Sequence, residues 1–301
     1  MNRIMPLSML VLTSLWIGPA LAQELTGTLK KIKDIGEITL GHRESSIPFS
    51  YYDDKQQVVG YAMDLCHRIV DGVKSNLKLP QLQTKLNPVT SATRIPLIAN
   101  GTVDLECGST TNNLERQKQV SFTITHFVTA NRFVSKKSAN LKTVEDLRGK
   151  TIVSTSGTTN LKQITEIGAQ KGLNLNILAA KDHAEAFLMV ETGRAAAFVM
   201  DDILLYSLVA SSKSPKDYVI SADALSVEPY GIMLRREDPA FKKVVDEAMI
   251  ATYRGGAINA IYDKWFLQPI PPKGINLNVP MSESFKKVIA NPTDSGDPAV
   301  Y

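Results

Sequence analysis

Arg116 closes the segment GSTTNNLER, five residues after Thr111. A guanidinium matches a carboxylate through two parallel hydrogen bonds, and a nearby hydroxyl with free backbone N–H groups completes a cage for the anion. The same residues also read as a helix N-cap followed by a surface arginine. The segment STSGTTN, residues 154–160, sets Thr158 and Thr159 beside a glycine at a strand-to-helix turn. Such a turn leaves backbone N–H groups facing outward and favours an anion, though it equally caps an ordinary helix. In VMDDILL, Asp201 and Asp202 follow an apolar run. A carboxylate at the end of a buried strand needs a cation, such as an ammonium, unless it caps the next helix. Arg43 in HRESS, Arg94 and His183 add three groups of cationic type near element starts. At a helix start the macrodipole opposes a positive charge, so Arg94 and His183 are unexpected there.

These residues need elements to hold them. Residues 38–41, 83–88 and 103–106 have the composition of short strands, and residues 61–73 carry apolar side chains at helical spacing. Thr90 and Ser91 offer caps for a helix ending at Gly101, and Pro96 makes that helix start late. The pattern recurs: strands at 151–154, 176–179 and 195–200 alternate with a helix from about Leu161 and another capped by Asp182. Alternation of this kind predicts parallel sheets covered by helices. Two extended stretches, HFVTANRFVSKK and SVEPYGIMLRRED, flank the second unit. The expected fold is α/β, with two lobes joined by two crossing strands: residues 23–129 plus 229–301 form one lobe and 130–228 the other. An interdomain cleft is a preferred place for a small ligand.

The first 22 residues stand apart. Arg3, an apolar run over 7–17 and Ala20-Leu21-Ala22 predict a secretory signal peptide cut before Gln23. No later run reaches the length of a membrane span. The net charge of +4 comes from 34 basic and 30 acidic residues spread along the chain, which argues against nucleic acid. Cys66 and Cys107 are the two cysteines. Export permits a single disulfide between them, with two buried free thiols as the alternative. No G-x-x-x-x-G-K-[ST] motif is present to bind a nucleoside triphosphate.

Together, HRESSIPFSYYDD, ATRIPLIANGTVDLECGSTTNNLERQKQVSFT, TSGTTN, KDH and RAAAFVMDD resemble the periplasmic glutamate/aspartate-binding proteins of ABC transporters, over residues 29–266. The resemblance implies a type II periplasmic-binding fold, no cofactor, and a monomer that passes an acidic amino acid to a membrane permease. It implies that Arg116, Thr111, Thr158 and Thr159 hold the ligand α-carboxylate, and that Asp201 and the Ser109 region receive the α-ammonium. It further implies that Arg43, Ser91, Arg94 and His183 hold the side-chain carboxylate. The alternative is an enzyme on the same fold, similar to the periplasmic prephenate or arogenate dehydratases, with His183 or Glu44 as acid or base.

Overall fold

The computed structural model describes residues 25–301, and the expected export segment 1–22 lies outside them. Two sheets organise the chain. In the first, Gln83–Pro88, Glu37–His42 and Leu105–Cys107 run parallel, and Met233–Arg235 and Val120–Phe122 extend the order. Met233–Arg235 is antiparallel to both of its neighbours. In the second, Asn176–Ala180, Thr151–Thr155 and Ala197–Asp201 run parallel, and the long strand Phe127–Lys136 pairs antiparallel with Ala197–Asp201. This is the two-lobed α/β architecture expected from the alternating elements.

The two extended stretches become Phe127–Lys136 and Ser226–Tyr230, which pair antiparallel from Phe127↔Tyr230 to Asn131↔Ser226. They link the sheets. Their lower end is pinned by an aromatic cluster in which Phe49, Tyr61, Phe127, Tyr230 and Phe266 meet at centroid separations of 5.0–6.4 Å. Contacts of this kind add to the area they bury.

Local chemistry explains most element ends. Asp182 accepts from the backbone N–H of Glu185 and opens the helix His183–Glu191. Asp238 accepts from the N–H of Phe241 and, from across the lobe, of Thr28. The helix Tyr61–Leu77 runs four residues beyond its expected end, because Lys78 adopts a left-handed conformation that closes it only there. The helix Arg94–Ala99 starts late, as Pro96 requires, but Thr90 and Ser91 do not cap it. The Thr90 hydroxyl engages Thr93, and the Ser91 hydroxyl accepts from the Arg43 guanidinium. A helix at Gly27–Ile35 was not legible in the sequence. Cys66, on the core face of its helix, is joined to Cys107 at a strand end with a Cα–Cα distance of 6.1 Å. This excludes the two-thiol alternative.

Candidate functional site

The parallel strands end at His42, Pro88 and Cys107 in one lobe and at Thr155, Ala180 and Asp201 in the other. The candidate ligand-binding residues lie at these ends or in the loops that follow them. In an open α/β sheet that is where loops present ligand-binding groups. Here two such edges face each other. Ser91, Arg94, Ser109 and Thr111 from one lobe and Thr158, Thr159, His183 and Asp201 from the other line one small, tightly closed cavity. Arg43 and Arg116 stand behind this lining. Arg43 Nη2 donates to Ser91 Oγ at 2.9 Å, and Arg116 donates to the carbonyls of Thr111 (2.9 Å) and Gly157 (3.2 Å). A wider surface cleft, lined in part by Lys136, Lys213 and Lys216, contains none of these residues.

The arginines are not surface residues. Arg43 and Arg94 are each 2% exposed and Arg116 7%. Burial, and then the positive charge of Arg94, bring Arg43 down to about 10 and Arg116 to about 9, so both remain cations at neutral pH. Asp201 occupies the N-cap position of the helix Asp202–Ser211, but its side chain does not cap it. Its carboxylate instead accepts from Asn160 at 2.8 Å and from the Tyr230 hydroxyl. Burial, and then the Glu228 carboxylate, lift Asp201 to about 7. A cation placed beside it would reverse that shift. Arg43 Nη1, Arg94 Nε, Ser109 Oγ and His183 Nε2 are buried and have no hydrogen-bond partner among the described residues. Unmatched buried donors are costly, so this cluster is built for an acceptor that arrives from outside.

One expectation needs correction. His183 is of cationic type in the sequence, but burial, and then Arg43 and Arg94, pull its imidazole well below the ordinary range. It is neutral here. Its Nδ1 lies 2.8 Å from Thr155 Oγ1.

The model of the bacterial extracellular solute-binding proteins, family 3, matches residues 38–268. The chain belongs to this family. It is 55% identical over 295 residues to the L-glutamate/L-aspartate-binding protein of Pseudomonas aeruginosa, covering 97% of this chain and 98% of that one. It is 47% identical over 267 residues to the glutamate/aspartate import solute-binding protein of Escherichia coli, covering 89% and 88%. An ancestral arginine-binding protein bound to arginine superposes with a TM-score of 0.69 at 26% identity, covering 77% of this chain and 98% of that one. These relatives are binding proteins, and this chain is a solute-binding protein rather than an enzyme. Glu44, the other residue considered as acid or base, is exposed and does not line the cavity.

Contacts cross the cleft between the two sheets. Thr159 Oγ1 is 3.4 Å from Thr111 Oγ1, Arg116 reaches the Gly157 carbonyl, and Lys162 pairs with Glu115 at the exposed rim. The rim pair adds little, since both ends are well solvated.

Sequence reading found one carboxylate in the site, and the structure holds three. Glu106 is fully buried 3.9 Å from Arg94 Nη1, and it accepts from Thr110 Oγ1 at 2.5 Å. Glu228, on Ser226–Tyr230, accepts from Gln163 at 2.7 Å and lies 3.2 Å from Thr159 Oγ1. Asn160, Tyr230 and Thr155 were missed as well. The first two hold Asp201 and the third holds His183. Asn160 and Thr155 belong to STSGTTN together with Thr158 and Thr159, so proximity in sequence was an available signal. Glu106 sits inside a strand of apolar neighbours and carried only its own unexplained charge.

Proposed function

We propose that this protein binds L-glutamate or L-aspartate in the cavity between its lobes and delivers it to the permease of an ABC transporter. The observation that carries the reading is the gathering of three buried arginines and one buried aspartate, from separate strand ends, at a single closed cavity. An acidic amino acid offers two carboxylates and one ammonium. In this reading Arg116, Thr111, Thr158 and Thr159 bind the α-carboxylate, Asp201 and Ser109 the α-ammonium, and Arg43, Ser91, Arg94 and His183 the distal carboxylate. The names of the Pseudomonas aeruginosa and Escherichia coli relatives support the ligand class. A ligand with a cationic side chain, as arginine has, would meet Arg43 and Arg94, and like charges in a buried site repel strongly.

The protein acts as a monomer in the periplasm after removal of residues 1–22. The lobes are 23–129 plus 229–301 and 130–228, with the hinge at 128–131 and 226–230. Ligand stabilises the closed form because it bridges Arg116 in one lobe and Asp201 in the other.

Calorimetric titration with glutamate, aspartate, glutamine and asparagine tests the reading. The acids are expected to bind tens to thousands of times more tightly than the amides, because an amide leaves buried arginines without a counter-charge. Arg94→Ala should weaken glutamate much more than glutamine, whereas Arg116→Ala should weaken both. Equal loss for the two ligands in Arg94→Ala would remove Arg94 from the distal subsite.

A further inference from the structure

We infer that Thr155 is a positioning residue that presents His183 to the ligand's distal group as a neutral Nε2–H donor, and so helps the site choose an acid over its amide. The inference rests on the placement of the distal carboxylate proposed above. Thr155 is the last residue of the strand Thr151–Thr155, and neither it nor His183 has appreciable exposure. Its Oγ1 lies 2.8 Å from His183 Nδ1, and among the described residues the hydroxyl has no other hydrogen-bond partner. On the far side of the ring, Nε2 is buried, unpartnered, and belongs to a residue that lines the cavity.

Counting protons decides the arrangement. The hydroxyl has one hydrogen and the neutral imidazole has one N–H. If Thr155 donates to Nδ1, the ring hydrogen sits on Nε2 and faces the cavity side. If Nδ1 donates to Thr155, the hydroxyl hydrogen is buried with no acceptor, and Nε2 offers a lone pair. In the empty site each arrangement leaves one buried hydrogen unmatched, but the second also leaves the Nε2 lone pair unmatched, and only in the first does an arriving carboxylate satisfy the leftover donor. A protonated ring would also place hydrogen on Nε2. It would waste the Thr155 hydrogen too, and would set a third cation against Arg43 and Arg94.

The consequence is selectivity. An Nε2–H donor accepts company from either carboxylate oxygen. It opposes the NH₂ of a glutamine or asparagine side chain, which an Nε2 lone pair would welcome. Thr155 therefore sets the hydrogen-bonding sense of a ring whose other nitrogen faces the ligand, and the site gains a donor without gaining a charge.

The test combines nitrogen-15 NMR of the imidazoles with titrations of the whole processed protein. His183 signals are assigned by their loss in His183→Ala. At pH 7 the ligand-free wild type should show the Nε2–H tautomer at His183, as should Thr155→Ser, which keeps the hydroxyl. Thr155→Val should lose this single tautomer. Its ratio of glutamate to glutamine affinity should fall by roughly three- to tenfold, the range of one hydrogen bond, whereas Thr155→Ser keeps the wild-type ratio. An Nδ1–H tautomer in the wild type overturns the inference, and it needs no variant to fold. A ratio that collapses in His183→Ala yet stands unchanged in Thr155→Val also overturns it, while the reading of the site survives. A ratio unmoved by His183→Ala overturns the placement of the distal carboxylate and this inference with it.

Discussion

Gly157→Ala isolates closure from every direct contact with ligand. Gly157 follows the strand Thr151–Thr155 at the mouth of the cleft, with φ at +76°. A Cβ there would stand 2.6 Å from Ala92 Cα, 2.7 Å from Ala92 N and 2.8 Å from Ser91 C, all backbone atoms of the opposite lobe. Carbon atoms pack at roughly 3.5–4.0 Å, so the lobes must separate by about 1 Å. That separation takes the Arg116–Gly157 contact, 3.2 Å in the closed form, out of hydrogen-bonding range. It also loosens any ligand held from both sides. The left-handed backbone adds roughly 1–2 kcal/mol in the open and closed forms alike, which lowers thermal stability by a few degrees without affecting closure. The clash exists only in the closed form. Losing one charge-assisted hydrogen bond, at about 1.5–3 kcal/mol, raises Kd about ten- to a hundredfold for glutamate and aspartate equally. Calorimetry gives the affinities, and small-angle scattering with saturating glutamate gives the compaction. Wild-type affinity together with wild-type compaction would refute the argument, since it would show that these backbones do not meet in the bound state.

Three further outcomes follow from buried groups. His126 is fully buried among Phe49, Tyr61 and Tyr230, has no partner at either ring nitrogen among the described residues, and is pulled down by burial to about 3. The unfolded chain takes up this proton near pH 6.5 and the folded one does not, so the stability of neutral His126 is complete above pH 6.5 and is lost as pH falls toward 3. Between pH 6.5 and 5 the loss is about 2 kcal/mol. His126→Phe should remove that part of the acid dependence, read as the difference between the two proteins' urea midpoints at pH 7 and pH 5; Asp201, whose raised pKa acts in the opposite sense, is common to both. Reducing Cys66–Cys107, separated by 41 residues, should cost about 4 kcal/mol through the chain entropy that the closed loop removes from the unfolded state, and denaturation with and without reductant measures it. Asp201→Asn should raise Kd by tens to thousands for all four amino acids, because the ammonium is common to them; an effect confined to the acids would move the ammonium elsewhere.

What the chain reveals by itself is whatever depends on neighbours in sequence. The alternation of strands and helices, the cap at Asp182, the late start forced by Pro96 and the position of each candidate ligand-binding residue after a strand were all legible there. Those features follow from backbone chemistry within a few residues, and parallel strands then place their trailing loops at one edge. The tertiary structure decided what depends on burial and on distant charge. It left Glu106 against Arg94 and brought Glu228 toward Asp201. It diverted the Ser91 hydroxyl from a helix cap to Arg43, and it turned His183 from a cation into a neutral ring. Gly157 looked like part of an anion-binding turn, yet its demand for a missing side chain comes from Ala92 in the other lobe. Protonation states and close approaches are properties of the folded environment, because desolvation and Coulomb energy depend on which groups share the same few ångströms of space.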